Sequence, residues 1–510
     1  MEIDIANLPT DTAALQALVR QLAGVVKTQG LKIAQLEARL AKLKRLQFGQ
    51  SSEKIAREIE QLELELDELH EEEGRRAAER PAAVQVLVEK PYRKPLPEHL
   101  PRQEEMHEPS CICPNCGAGM RKLGEDVTEV LEYVPASFKV IRHVRPRLSC
   151  RVCETIVQAP MPSLPIERGR PGSGLLAHVL VAKYADHLPL YRQSGIYARE
   201  GVELERSTLA DWVGRSAALL DPLVAALRKD VMASEVLHGD DTPVPVLAPG
   251  RGSTRTARLW AYVRDGRPCG SKQSPAAVFC YSPDRKGEHP QNHLKSFKGI
   301  LHADGYAGFN AIFEKAQVTE VACWAHVRRK FFDVHAANQS PIAKEALDHI
   351  GALYGIEDAI RGRPPDERRR SREAKALQLI AHLHAWLETT LPKLSAKSDL
   401  AAAMRYALGR WNALTRYLHD GRVEIDNNAA ERSIRGVALG RKNYLFAGSD
   451  AGGERAAAIY SLIETCKLNG IDPEAYLRSI LARIADHPIN RVAELLPWNW
   501  ATVHAQEKAA

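Results

Sequence analysis

Long apolar runs are missing from this 510-residue chain. No stretch reaches the eighteen or so hydrophobic residues that a membrane-spanning helix needs, so none is expected. The opening MEIDIANLPTDTAAL is acidic and lacks an apolar centre, so no secretory signal is expected and the cytoplasm is the expected compartment. A large surplus of one charge is also lacking. Lys and Arg number 70 against 64 Asp and Glu, a net charge of +6, which permits a nucleic-acid partner without requiring one. Cysteine is sparse, with nine residues, and in a cytoplasmic chain this argues against a disulfide framework. No internal repeat is visible. The length itself exceeds what one hydrophobic core fills, so several domains are expected.

Composition shifts mark where those domains divide. Residues 12–46 carry Leu15, Leu18, Leu22 and Val25, then Val26, Ile33, Leu36, Leu40 and Leu43, at the three-four spacing of an amphipathic helix. A second helix carries Ile55, Ile59, Leu62, Leu66 and Leu69, after a break at Phe48-Gly49-Gln50-Ser51-Ser52. A self-packed hairpin and an intermolecular coiled coil both satisfy this pattern. Residues 80–109 hold prolines at 81, 91, 95, 97, 101 and 109 and show no sustained periodicity, which is linker composition. Residues 127–148 alternate as strands do. Helices are expected at Leu175–Tyr184, Leu190–Glu200 and Ser207–Arg228, then β-like segments at 236–240, 259–264, 277–281, 300–303 and 318–323, then charged helices from 326 to 420. Glu is concentrated in 53–79, and basic runs occur at 139–151, 168–170, 328–330, 368–372 and 441–442.

Four cysteines fall into two pairs, Cys113-Pro-Asn-Cys116 and Cys150-Arg-Val-Cys153. Zinc takes four soft ligands in a tetrahedron, and two such knuckles supply them. The 33 residues between the pairs exceed the usual ribbon spacing and leave room for a longer β excursion. Along 138–148, Lys139, His143, Arg145 and Arg147 share one face, while Phe138, Val140, Val144 and Leu148 share the other. The basic face suits phosphate contacts, and a solvated edge strand guarded by charge suits it equally. The helices around Gly201 fit a helix-turn-helix or a plain bundle.

Three acids stand out by context. Asp240 follows Val236-Leu237-His238-Gly239, Asp304 follows Ile300-Leu301-His302-Ala303, and Glu431 sits at a helix start after Asn427-Asn428-Ala429-Ala430. Two aspartates at strand ends and a helical glutamate could converge on a pair of Mg²⁺ ions, since hard cations take carboxylate oxygens. Each acid also has a structural explanation. Aspartate favours turns, and Glu431 stands at capping-box spacing from Asn428 and at ion-pair spacing from Arg435.

These motifs, in this order, resemble the IS66 family of insertion-sequence transposases over nearly the whole chain. The resemblance rests on Cys113-Pro-Asn-Cys116-Gly117 with Cys150…Cys153, and on Lys183-Tyr184-Ala185-Asp186-His187-Leu188-Pro189-Leu190-Tyr191-Arg192. It rests further on Asp240-Asp241-Thr242-Pro243-Val244, Ala303-Asp304-Gly305-Tyr306, Asn428-Ala429-Ala430-Glu431-Arg432 and the closing Leu496-Pro497-Trp498-Asn499-Trp500. It implies a multidomain α/β protein with a ribonuclease H-like catalytic core interrupted by a helical insertion. The expected layout is a coiled-coil segment at 1–80, a linker at 81–108 and a zinc-binding β module at 109–165. A helical, DNA-binding region at 166–232 follows, then the catalytic domain at 233–470 with its insertion at about 326–420, and a C-terminal segment at 471–510. The resemblance also implies a catalytic triad of Asp240, Asp304 and Glu431 on Mg²⁺ or Mn²⁺, with Zn²⁺ on the four cysteines. The expected partners are element-end and target DNA, a second copy of the chain, and small accessory proteins. Lys139, Arg145, Arg147 and Arg435 are candidate DNA contacts. The family commonly has Asp-Glu-Thr where this chain reads Asp240-Asp241-Thr242, so either aspartate could be the first acid; strand alternation allows only one of them to reach the metals. Cys323-Trp324-Ala325-His326 resembles a Cys-x-x-His element of other transposases, and two ligands alone imply a structural or positioning role. Two rival readings are a domesticated zinc-containing DNA-binding protein and a ribonuclease H-like nuclease without strand transfer.

Overall fold

The computed structural model describes residues 95–500 apart from 99, 110, 113, 135–136, 168, 249–252, 315–316, 441–442 and 444–446. The leucine-patterned segment at 12–70 therefore lies outside the described residues, as does Cys113.

The first sheet is built on a long hairpin. β2 (Met120–Val134) and β3 (Ser137–Cys150) pair antiparallel from Met120↔Cys150 to Val134↔Ser137, with an irregularity between Lys122 and Gly124. β1 (Arg102–Met106) runs parallel to β3 on its other side, and β4 (Ile156–Gln158) pairs antiparallel with β3 near its end. β1 falls inside the span expected to be a linker. Its proline-rich neighbourhood hides a strand that among the described residues pairs with β3 alone.

The hairpin tip is apolar and enters the core. Leu131, Phe138 and Val140 are fully buried, Tyr133 stacks on His178 with ring centroids 4.0 Å apart, and Phe138 meets Tyr197 edge-on at 5.5 Å. His178 and Tyr197 lie on α1 (Ser173–Tyr184) and α2 (Leu190–Arg199), which are followed by α3 (Arg206–Met232). α1 is apolar almost all round, and a helix of that kind must be buried. It packs against β2 and against α13 (Pro473–Leu481) near the end of the chain.

The second sheet has five strands: β5 (Val236–Val246), β6 (Arg255–Arg264), β7 (Ala276–Ser282), β8 (Gly299–Ala303) and β9 (Val318–Ala322). Their order is β7-β6-β5-β8-β9. The β5–β6 and β6–β7 pairs are antiparallel, whereas β5–β8 and β8–β9 are parallel. Short helices α4 (Glu288–His293) and α5 (Asn310–Phe313) flank β8 in the chain. The exposed edge of β7 would invite pairing with another chain. α12 (Asp450–Leu468) covers it. Ser461 Oγ accepts the Phe279 N–H at 2.8 Å, and Thr465 Oγ1 bonds both the N–H and the carbonyl of Ala277 at 3.1 Å.

Between β9 and α11 (Asn428–Gly440) lie five helices: α6 (Trp324–Asn338), α7 (Pro341–Ile360), α8 (Pro365–Thr390), α9 (Asp399–Gly409) and α10 (Trp411–Thr415). They have a hydrophobic core of their own, with Trp324, Phe331, Ile350, Leu383, Met404 and Tyr417 inside it. Two residues of the basic run 368–372 turn inward. Arg368 and Arg372 are buried on the Glu357 carboxylate, at 3.2 and 2.6 Å, and Arg372 also donates to the carbonyls of Tyr417, Asp420 and Val423. Those carbonyls end the segment just before α11, so the insertion holds the approach to that helix. No helix among the described residues is long and apolar enough to cross a membrane.

Candidate functional site

The parallel pairing of β5 with β8 aligns two of the candidate acids. His238 pairs with His302, the last pair between these strands, and Asp240 and Asp304 each stand two residues further on. Side chains two apart share a strand face, so both acids leave the same side of the sheet where the strands diverge. Asp240 does not close β5. The strand runs on to Val246, because β6 continues to pair with it after β8 has left.

Asp241 points the other way. Its side chain is 1% exposed and accepts from Arg258 Nη1 at 3.0 Å and from Arg285 Nε and Nη2 at 3.1 and 2.8 Å. Two guanidinium groups neutralise it. Asp240 has no such partner among the described residues. Its Oδ1 accepts the N–H of Asp241 at 2.8 Å, which favours the charged form. Burial and the nearby charge of Asp304, with smaller contributions from Asp241 and Glu431, outweigh that bond and push the carboxyl up to about 7.

Asp304 is shaped by its turn. Its Oδ1 accepts the Tyr306 N–H at 2.9 Å, and its carbonyl accepts the Tyr406 hydroxyl at 2.9 Å. Gly305 has φ +86°, and a Cβ there would lie 2.3 Å from the Arg410 guanidinium carbon. That guanidinium donates to the Gly305 carbonyl at 2.6 Å and pairs with Glu320 at 2.9 Å. Only glycine fits so close an approach at a positive φ.

Glu431 comes from the first turn of α11. Its carboxylate faces His326 Nδ1 at 3.7 Å and Arg329 Nη2 at 3.9 Å, both on α6, rather than Arg435 one turn along. Glu431 Oε1 and His326 Nδ1 are buried and have no hydrogen-bond partner among the described residues. Cys323, His326 and Glu431 each bring a donor atom within 4.8 Å of the others. The three acids are not so tightly grouped among the described residues, and acids that share two cations roughly 3.5–4 Å apart need not be.

Asn427 holds this arrangement together, and the sequence pattern did not single it out. It is fully buried. Its Nδ2 donates to the Gly239 carbonyl at 2.9 Å, its Oδ1 meets His238 Nδ1 at 3.1 Å, and its N–H donates to Cys323 Sγ at 3.2 Å. The strand bearing Asp240, the start of α6 and the start of α11 thus meet on one residue, through its side-chain amide and its backbone N–H. Capping falls to Asp426 rather than to Glu431. Its carboxylate accepts the Asn428 N–H at 3.1 Å, the Asn428 side-chain amide at 2.7 Å and the Tyr354 hydroxyl at 3.1 Å. Below the acids, His238 and His302 stack with centroids 4.2 Å apart, and burial holds both imidazoles neutral, His238 down at about 4.

The cysteine knuckles meet at the open end of the β2–β3 hairpin. Cys116 Sγ lies 3.5 Å from Cys150 Sγ and 3.6 Å from Cys153 Sγ. Thiolates about 2.3 Å from a tetrahedral zinc stand about 3.8 Å apart, so these spacings fit that ion. The N–H groups of Cys153 and Val152 hold the Cys150 thiol below its ordinary range, which favours the ligating thiolate. Of the candidate DNA contacts, Arg147 pairs with Asp126 at 2.6 Å, Arg145 donates to the Ala159 carbonyl at 3.5 Å, and Lys139 meets Gln103 at 3.3 Å. Arg435 is exposed on α11. His143, expected on the basic face, is buried against His107.

Comparison with known proteins finds family matches in order between residues 35 and 498. Residues 168–455, more than half of the chain, match a family described as the IS66 transposase family. Residues 110–154 match the zinc-finger binding domain of transposase IS66, 461–498 the IS66 C-terminal element, and 35–104 a segment described as transposase C of IS166 homeodomain. The uncharacterized protein y4hP of Sinorhizobium fredii is 44% identical over 497 residues, 93% of this chain and 90% of that protein. The uncharacterized protein y4qI of the same organism is 38% identical over 540 aligned positions, 98% of this chain and 99% of that protein. With the zinc-finger, central and C-terminal regions matched in order, the chain belongs to the IS66 family of transposases.

Proposed function

We propose that this chain is a DNA transposase that binds the terminal repeats of its element, cuts the 3′ ends and joins them to target DNA. In this reading the five-stranded sheet is a ribonuclease H-like core, and Asp240, Asp304 and Glu431 are its metal-binding acids. The strand order supports it: β5 is central, β8 and β9 run parallel to it on one side, and on the other side β6 alone runs against it, with β7 reversed again. One acid lies on the central strand, one just past the adjacent parallel strand, and one on the helix after the insertion. The observation that carries the reading is the state of Asp240, a buried carboxyl raised by Asp304 and Glu431 and without a basic partner among the described residues, while its neighbour Asp241 takes two. Carboxylates crowded in this way are stabilised by a divalent cation.

The donor set fits Mg²⁺ or Mn²⁺: three carboxylates with hard oxygens, one of these oxygens, Glu431 Oε1, being buried without a hydrogen bond among the described residues. Bound there, such ions supply charge stabilisation at the scissile phosphate and activation of the attacking oxygen. The chain's own groups position that chemistry. The Tyr306 N–H and the Tyr406 hydroxyl fix the Asp304 turn, Asn427 ties Asp240 to α11, and His326 and Arg329 orient Glu431. In the first step a water oxygen bonds to phosphorus as the bond to the 3′ oxygen breaks. In the second, the freed 3′-hydroxyl attacks a target phosphodiester and the target's own 3′ oxygen leaves. Both are in-line displacements at phosphorus, so one site serves both.

Cys113, Cys116, Cys150 and Cys153 hold one structural zinc in this reading. Arg435, Lys139, Arg145 and Arg147 contact DNA phosphates, the last by exchanging Asp126 for phosphate. Residues 1–80 pair two copies across the element ends, in the cytoplasm, with small accessory proteins as further partners. The domain divisions at 108, 165, 232 and 470 are part of the same proposal. The test is Mg²⁺-dependent cleavage of a labelled element end, followed by joining to a target duplex. Cleavage without joining would reassign the chain as a nuclease, and binding without cleavage as a DNA-binding protein.

A further inference from the structure

A second group of metal-ligating side chains lies on the first sheet, away from both the cysteines and the acids. β1 carries Glu105, and His107 follows one residue past its end. Glu105 is the register partner of His143 on β3, and the His107 N–H donates to the Val144 carbonyl at 3.1 Å. Residues two apart share a strand face, so all three side chains leave the same side of this parallel pair.

Their donor atoms converge. His107 Nε2 lies 2.9 Å from His143 Nδ1, Glu105 Oε2 lies 3.7 Å from that same nitrogen, and all three atoms fall within 4.8 Å of one another. The imidazoles stack with centroids 5.2 Å apart and planes 19° apart. His143 is buried, while Glu105 and His107 are half-buried, so one side of the cluster opens to water. A hydrogen bond between the histidines does not account for the carboxylate. If His143 Nδ1 accepts from His107, Glu105 faces a lone pair; if it donates to His107, its single proton is already used.

We propose that Glu105, His107 and His143 bind a zinc ion that ties β1 to β3. Two imidazoles and a carboxylate are an ordinary zinc donor set, and the open side admits water as the fourth ligand. This ion is distinct from the one on the cysteines. His143 and Cys150 are seven residues apart on one strand, about 23 Å at the usual rise per residue. The tie also answers a mechanical need. β1 is five residues long and charged, and among the described residues only β3 pairs with it, so these main-chain bonds hold it weakly. A metal there would fix the chain where it enters the cysteine module.

The test is metal content of the full-length chain, purified with zinc and desalted. About two zinc ions per chain are expected, one for each donor set. His107→Ala and Glu105→Gln alter half-buried positions at and just past the end of β1 and leave the core intact. Each should lower the content to about one ion while the cobalt-substituted chain keeps its thiolate-to-cobalt absorption. Cys116→Ser should remove the other ion together with that absorption. About one zinc per chain, unchanged in His107→Ala, would overturn the proposal, as would a second ion that persists in both variants.

Discussion

Neighbouring aspartates on β5 should respond to the same substitution with opposite signs. Asp240 has its carboxyl raised to about 7 by burial and by Asp304 and Glu431, against an unfolded value near 3.8. The folded state therefore holds that proton more tightly than the unfolded state. Stability from this group is full below about pH 4 and is lost as pH rises through about 7. Roughly three pH units at 1.36 kcal/mol each give a loss of about 4 kcal/mol. Asp240→Asn escapes that loss, so without metal it should match the wild type below pH 4 and exceed it by up to about 4 kcal/mol at pH 8. Asp241→Asn removes a charge that two arginines satisfy in a buried setting and should cost about 2–4 kcal/mol. The assay is denaturant unfolding in chelator at pH 4 and pH 8, repeated at pH 8 with Mg²⁺. Mg²⁺ should stabilise the wild type and leave Asp240→Asn nearly unchanged. If Asp240→Asn were the less stable protein at pH 8, or Asp241→Asn cost nothing, the electrostatic account would fail.

Three further outcomes follow from the geometry and from the leucine spacing. Asn427→Ala should lower stability by about 2–4 kcal/mol, because the Gly239 carbonyl and His238 are left unpaired in the interior; a cost below about 1 kcal/mol by unfolding would show that the amide ties nothing together. Gly305→Ala should cost about 2 kcal/mol, since the positive φ is strained and the new Cβ must displace Arg410. It should also slow cleavage through the Asp304 turn, and a fully active, equally stable variant would contradict this. Deletion of residues 12–70 should shift the protein towards monomer in sedimentation, whereas an unchanged oligomer would move the interface elsewhere.

Much of the frame was legible because its signals are local. Alternation announced β2 and β3, the helical pattern at 175–228 announced α1 to α3, and the paired CxxC spacing singled out Cys116, Cys150 and Cys153, whose sulfurs lie close together. Strand alternation also separated Asp240 from Asp241, although the partners Arg258 and Arg285 lie on other segments and could not be read from spacing. What stayed hidden depends on distant chain. β1 is a strand because β3 offers it bonds, not because its own residues alternate. Arg368 and Arg372 stood out only as part of a basic run, yet Glu357 and the carbonyls near 417–423 draw them inside. Asn427 looked like part of a helix start, and its three contacts join segments about a hundred or more residues away in sequence. His143 kept strand parity with the basic residues, while its burial depends on His107 from β1's end.

The central claim is that three acids on one side of the five-stranded sheet perform metal-dependent strand transfer, and cleavage and joining of a labelled element end by single variants test it most directly. Asp240→Asn, Asp304→Asn and Glu431→Gln should each abolish Mg²⁺-dependent cleavage and joining while gel-shift binding to the element end persists, because each removes a carboxylate from the cation site and leaves the DNA contacts in place. Asp241→Asn, assayed below its melting temperature, should keep measurable activity. Activity surviving in Asp304→Asn or Glu431→Gln would contradict the triad, and an inactive Asp241→Asn beside an active Asp240→Asn would move the first acid by one residue.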